Sequence, residues 1–220
     1  MAPRAEPSRR ADLRVDRIAA ACAIVVLLPL FVATAVWILL DSGRPVLVRQ
    51  GRAGKDGRSF LMYKFRTMVP DADELGRQLR LTEDPFGVVA NDPRITKSGR
   101  FLRRTGLDEL PQLFNVVRGQ MSLVGPRADL VHQAANYAPR ERRRLSVLPG
   151  ITGWAQIHGR DSITWPERFE LDLWYIDNWS LWLDCRILVR TVGEIFRAEP
   201  RPVEDRMNIE RARAKDLSKR

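Results

Sequence analysis

No charged side chain interrupts residues 18–40, an apolar run from Ile18 to Leu40. A helix needs about 20 apolar residues to cross the hydrocarbon of a bilayer, so the run is long enough to enter a membrane. Pro29 stands near its middle. A proline there removes a backbone donor and crowds the preceding turn, which breaks or kinks a helix. Arg4, Arg9, Arg10, Arg14 and Arg17 precede the run, and Arg44, Arg49, Arg52, Lys55 and Arg58 follow it. Basic flanks favour the cytoplasmic side of a membrane. A straight span would put one cluster outside, whereas a helix that breaks at Pro29 and returns leaves both clusters inside. The pattern predicts a re-entrant helix–break–helix over residues 11–41, with a kinked single span as the alternative. A cleaved signal peptide fits worse. The apolar run continues through residues 36–40, past Ala33, Thr34 and Ala35, and a basic segment follows.

The chain of 220 residues has room for one globular domain with a proper core. Its net charge of +10 and pI of about 10.5 call for an anionic partner. Nucleic acid, an anionic membrane and phosphorylated small molecules all satisfy that charge. Cys22 and Cys185 form neither a CxxC pair nor a Cys/His metal spacing, so no structural disulfide is expected and a reducing compartment fits.

Beyond the apolar run, residues 46–50 and 61–68 read as strands. On the second, Lys64 and Arg66 share one face and Tyr63 and Phe65 the other; the plain reading is a solvated basic edge. Residues 71–81 form a charged helix candidate and 82–93 a turn-rich loop. Residues 95–104 bring Arg100, Arg103 and Arg104 to one side of a helix. Two adjacent carboxylates, Asp108 and Glu109, then precede Pro111, and Arg127 follows in the segment Val124-Gly125-Pro126-Arg127. Proline suits a first helical turn, so a helix is expected to begin near Asp108 or Glu109. A carboxylate there would accept free backbone N–H bonds and be held ionised with a lowered pKa. Asp108 reads either as a helix cap or as part of a phosphate-handling group, because arginines flank the acid pair on both sides.

Residues 129–144 read as a polar helix or helical pair whose end, Arg140–Arg144, is a solvated face by default, with contact to anionic headgroups as the alternative. Residues 149–160 hold three glycines with Trp154, Gln156 and Arg160. Such a stretch is either a loop where backbone approaches a ligand or two tight turns around a tryptophan. His132 and His158 give no sign of metal or acid–base work. Pro166 starts a helix through Asp177, and Ser180 caps another to about Phe196. Trp165, Trp174, Tyr175, Trp179 and Trp182 are dense enough for either core packing or an aromatic belt at lipid headgroups. The basic tail 198–220 is expected to be disordered.

The segments Tyr63–Met68, Leu107–Val116, Met121–Arg127 and Pro149–Gln156 together resemble the bacterial sugar transferase family, the monotopic phosphoglycosyl transferases. The likeness runs over residues 11–197. It implies an α/β class, mostly helical with a small sheet, with a re-entrant membrane helix and amphipathic interfacial helices. The expected layout is a basic arm 1–10, the membrane element 11–41, a catalytic domain 42–197 and the tail 198–220. The implied reaction moves a sugar-1-phosphate from a UDP-sugar to polyprenyl phosphate and releases UMP. By the resemblance, Asp108 is the nucleophile and Glu109 its partner acid, moving a proton or binding metal. Both would contact Mg²⁺. Lys64, Arg66, Arg103 and Arg127 fall on phosphate-binding positions, and Gln156 and Arg160 on the nucleotide-sugar motif. Pro29, Asp172 and Asp184 match structural or supporting positions. Expected partners are the UDP-sugar, polyprenyl phosphate and an anionic membrane, with a homodimer as an admissible assembly and no nucleic acid. The expected location is the cytoplasmic face of the bacterial inner membrane.

Three positions depart from the family pattern. Leu28 precedes Pro29 where serine is frequent, Ala128 follows Arg127 where proline is usual, and Leu148 precedes Pro149 where a basic residue is usual. The large multi-span N-terminal extension of some relatives has no counterpart, so the chain reads as the minimal catalytic form. Two other classes compete: a membrane-bound, Mg²⁺-dependent nucleotide-sugar pyrophosphatase, and a basic module for membrane or nucleic acid. The acid pair among arginines, and the lack of RRM, KH or helix-turn-helix signatures, count against nucleic acid.

Overall fold

The computed structural model describes residues 6–79, 92–159 and 163–197. Two helices open it, α1 (Glu6–Val26) and α2 (Leu28–Ser42). They meet at Leu27 with a bend of 62°. The break thus falls before Pro29 rather than on it. Pro29 lies in the first turn of α2, where a missing N–H loses no helical acceptor. With no N–H on Pro29, the Val25 carbonyl lacks its i+4 donor, so the ladder of α1 does not run on unbroken into α2. The first helix also starts at Glu6, ahead of the expected residue 11. Among the described residues no single helix is long and apolar enough to cross a membrane, but the bent pair together has the length and composition.

One side of the pair packs on the rest of the chain. Ala20, Ala23, Ile24, Leu27 and Phe31 join Met62, Leu113, Val116 and Met121 in one cluster. Farther along α2, Ile38 is buried against Phe65 and Leu102. The other side leaves Ile18, Val25, Val26, Leu28, Val32 and Leu40 exposed.

Both arms are also bonded to the same body. On α1, Arg17 Nε donates to the Val117 carbonyl at 2.8 Å, and Asp16 accepts from the Ser122 hydroxyl and the Leu123 N–H. At the end of α2, Asp41 accepts from the Ser98 N–H at 2.8 Å and its hydroxyl at 2.7 Å.

The expected class holds: a mostly helical chain with two small sheets. Strands β1 (Leu47–Ala53) and β2 (Ser59–Phe65) pair antiparallel, Leu47 opposite Phe65 and Ala53 opposite Ser59. After β2 come α3 (Ala72–Gln78), α4 (Lys97–Thr105) and α5 (Gln112–Val117). Next are β3 (Ser122–Val124), α6 (Val131–Ala135) and β4 (Gly150–Thr152), and β4 runs parallel to β3. The glycines of this second sheet serve contact between backbones. A Cβ on Gly153 would lie 2.2 Å from the Gly125 oxygen, and one on Gly150 2.1 Å from the Gly125 nitrogen.

Helices α7 (Trp165–Asp177) and α8 (Leu181–Arg197) close the described chain. Thr164 caps the first, with Pro166 in its opening turn and Asn178 at its end, and Ser180 Oγ accepts from the Leu183 N–H at the start of the second. Tyr175, Leu183 and Ile187 are buried with Val124 and Ile157. Of the aromatic residues here, Tyr175 takes up the core-packing role, while Trp174 and Trp182 are exposed. Trp154 stacks on Trp174 with ring centres 4.6 Å apart, whereas Trp182 is 78% exposed beside exposed Leu181, Val189 and Val192. Residues 1–5 of the arm, residues 80–91, which take in most of the expected loop 82–93, and the tail 198–220 lie outside the described residues.

Candidate active site

Gly106, with φ of +72°, ends α4 in a left-handed conformation that glycine adopts without strain. The chain then makes a single 3₁₀ turn, Leu107–Glu109, and α5 starts only at Gln112 with Pro111 ahead of it. Asp108 therefore does not cap a helix: Gly106 and Pro111 hold the cap positions of the turn and of α5. Asn115 fixes this segment to β2. Its Nδ2 donates to the Leu61 carbonyl at 2.8 Å, and its Oδ1 accepts from the Tyr63 N–H at 3.0 Å.

The two adjacent carboxylates meet different surroundings. Glu109 Oε1 accepts from Lys64 Nζ at 3.1 Å and from Arg127 Nη2 at 2.6 Å, and its Oε2 accepts from Arg127 Nη1 at 3.2 Å. Burial alone would raise its pKa, but Arg127 and Lys64 hold it well below the usual carboxylate range. Asp108 is 8% exposed and has no ion pair or hydrogen bond among the described residues. Burial, and then the neighbouring Glu109 charge, push its pKa up to about 6; Lys64, Arg127 and Arg103 only offset this. The expectation of a lowered pKa for Asp108 is thus reversed. Helical N–H groups are not there to stabilise the anion, and desolvation acts unopposed by direct contact.

Three of the four expected basic residues face this pair. Lys64 and Arg127 grip Glu109, and Arg103 lies within electrostatic range of Asp108 while its Nε donates to Thr67 Oγ1 at 2.9 Å. Arg66 points elsewhere. Strand β2 ends at Phe65, and Arg66 Nη2 donates to the Ser42 carbonyl at 2.7 Å, the Ser42 hydroxyl at 2.9 Å and the Gly43 carbonyl at 2.7 Å. It closes the C-terminal end of α2, so Lys64 and Arg66 do not serve one face.

Gln156 sits in a short turn beside Gly153, with its amide oxygen and nitrogen both buried and without a hydrogen-bond partner among the described residues. Buried amide groups normally find partners, so this one can serve a ligand. Arg160 lies outside the described residues. Asp172 is buried in α7 and accepts from Arg144 Nε at 2.8 Å. Asp184 accepts from the Tyr175 hydroxyl at 2.8 Å and Trp179 Nε1 at 2.9 Å. Both acids join elements of the fold.

Two arginines near the site escaped sequence reasoning. Arg52, counted only as a flanking charge, donates to the Ala128 carbonyl at 3.0 Å, next to Arg127. Its pKa is lowered to about 10 by burial first and by Arg127 next. Arg144 was expected on a solvated face but is 3% exposed, paired with Asp129 and Asp172. A run of neighbouring arginines hid it, since nothing local distinguishes Arg144 from Arg142 or Arg143. Its partners are distant in sequence.

Among the described residues no three acidic, histidine or cysteine side chains converge as a metal cage. Mg²⁺ often binds through one or two carboxylates plus substrate phosphates and water. The uncommitted carboxylate of Asp108 and the remaining lone pair on Glu109 Oε2 fit that mode.

Residues 8–198 match the family model described as bacterial sugar transferase. The chain is 45% identical over 162 residues to the uncharacterized sugar transferase EpsL of Bacillus subtilis, covering 74% of this chain and 75% of that one. It is 40% identical to the UDP-galactose-lipid carrier transferase of Erwinia amylovora, covering 84% of this chain and 40% of the relative. It is 44% identical to the UDP-glucose:undecaprenyl-phosphate glucose-1-phosphate transferase of Xanthomonas campestris pv. campestris, covering 82% and 38%. The chain thus spans less than half the length of the latter two.

Proposed function

The chain belongs to the bacterial sugar transferase family, and from that membership we propose that it transfers a sugar-1-phosphate from a UDP-sugar to polyprenyl phosphate. One observation carries the reading: of two adjacent carboxylates, Glu109 is neutralised by Lys64 and Arg127, while Asp108 is buried without a paired cation among the described residues. Adjacent titratable groups whose environments push their pKa values apart mark a division of chemical labour. A desolvated, unengaged carboxylate, once ionised, can serve as a nucleophile.

In the proposed reaction an Asp108 carboxylate oxygen attacks the phosphorus that bears the sugar. The bond from that phosphorus to the bridging oxygen breaks, and UMP leaves with the electron pair. The sugar phosphate is then an acyl phosphate on Asp108. A polyprenyl phosphate oxygen attacks the same phosphorus, the Asp108 carboxylate leaves, and polyprenyl-diphosphate-sugar is released. Arg127, Lys64 and Arg103 hold the phosphate oxygens and offset the charge that moves onto UMP. Mg²⁺, held by Asp108 and Glu109 together with the diphosphate, would supply further neutralisation.

The polyprenyl acceptor resides in a membrane, and the reading places the protein at the cytoplasmic face of the bacterial inner membrane. Supporting this, both arms of the apolar pair are bonded to one folded body, through Asp16 and Arg17 on α1 and Asp41 on α2. Two ends fixed to one body leave and return on one side, which favours a re-entrant element over a span.

The test is lipid dependence. Incubated with the UDP-sugar it accepts, the protein is expected to release at most about one UMP per chain until polyprenyl phosphate is added, as a two-step covalent mechanism requires. Steady UMP release without lipid would instead make the chain a pyrophosphatase.

A further inference from the structure

Arg127 is carried by the segment Pro126–Asp129, which lies outside the paired strands. Its four consecutive carbonyls each accept a hydrogen bond. The donors are the Gly150 N–H to Pro126 at 2.9 Å, Arg144 Nη2 to Arg127 at 3.2 Å, Arg52 Nη1 to Ala128 at 3.0 Å and the Ala53 N–H to Asp129 at 2.9 Å. Two of these four donors are side chains from distant parts of the chain.

Both side chains are themselves fixed. Arg144 donates Nε to Asp172 at 2.8 Å and Nη1 to the Tyr137 hydroxyl at 2.5 Å, and pairs with Asp129. Its guanidinium carbon lies 5.0 Å from the Phe169 ring centre on α7. Arg52, on β1, donates Nη2 to Gln50 Oε1 at 2.6 Å. The mount of Arg127 is therefore braced from one side by α7 and from the other by β1.

We infer that Arg144 and Arg52 are positioning residues, which set the direction in which the Arg127 guanidinium is presented by clamping the carbonyls of Arg127 and Ala128. The inference rests on the reading of Arg127 as a ligand of the substrate diphosphate. A guanidinium fork recognises phosphate through two directed N–H groups, so its orientation matters as well as its charge. Small errors in placing such a group are costly to a displacement that depends on alignment. Neither Arg144 nor Arg52 contacts the reacting atoms, and each acts through the backbone of Arg127.

A double-mutant cycle separates positioning from a general structural role. The measurement is kcat/KM for the accepted UDP-sugar, with undecaprenyl phosphate, on the full chain in nanodiscs. In the wild-type background Arg52→Ala is expected to lower kcat/KM about tenfold, as loss of alignment does. In an Arg127→Lys background the same change is expected to cost less than about twofold, because a lysine point charge needs no orienting fork. Arg144→Lys, which keeps the charge but not the reach to the Arg127 carbonyl, is expected to behave in the same way. If that variant does not fold, Arg52→Ala carries the test. Equal losses in both backgrounds, or no loss in the wild-type background, would overturn the inference. Should Arg127→Lys alone leave kcat/KM unchanged, the reading of Arg127 itself fails first and takes the positioning role with it.

Discussion

At the scale of single residues, Asp108 is held in a state it would not choose in water. Its pKa of about 6 in the fold lies above the ordinary 3.8. The proton therefore binds the folded form more tightly, and the associated stability is fully present below pH 3.8 and lost as pH rises through 6. Asp108→Asn is expected to raise the unfolding free energy above pH 6 by on the order of 2 kcal/mol, with the difference from wild type vanishing below about pH 4. Denaturation of both proteins across this pH range checks it; a constant difference at all pH values would contradict it. In the wild-type protein the proposed reaction makes kcat/KM fall on the acid side with a pKa near 6, as Asp108 takes up a proton. The residue types of the site were legible from the acid pair and the arginines around it. Which acid is paired and which is left alone was not, because Lys64 and Arg127 reach Glu109 only through the turn at Gly106 and the packing of α5 on β2.

At the scale of elements, local signals placed α7 and α8 well, since Pro166, Asn178 and Ser180 act on their own neighbours. They failed where a side chain's partner is remote. Arg66 alternates with Lys64 in the sequence, yet the strand ends between them and Arg66 turns to the last carbonyls of α2. The break before Pro29, rather than at it, has a local cause that the position of the proline alone did not reveal. Arg66 anchors the apolar pair through its Nη2 bonds to Ser42 and Gly43. Arg66→Met is accordingly expected to lower the unfolding free energy by about 2–3 kcal/mol, the worth of hydrogen bonds to a charged donor. The KM for the UDP-sugar should stay within about threefold of wild type, since no substrate contact is removed. A tenfold or larger rise in KM with stability unchanged would return Arg66 to the phosphate site.

At the scale of the whole molecule, the apolar pair, the exposed apolar face of α8 and the site belong to one body with a strongly basic charge. The double basic flank and the uncharged run already pointed to a membrane in the sequence; the bonds that tie both arms to the same body did not. Such a body can take a water-soluble nucleotide-sugar from one phase and a lipid phosphate from another. In the proposed reaction the sugar phosphate waits on Asp108 between the two substrates. The direct measurement is peptide mass spectrometry of the purified chain after a brief reaction with its UDP-sugar and no polyprenyl phosphate. A sugar-phosphate adduct is expected on the peptide containing Asp108, absent in Asp108→Asn and discharged when polyprenyl phosphate is added. Full transfer activity in Asp108→Asn, or an adduct on another residue, would contradict it.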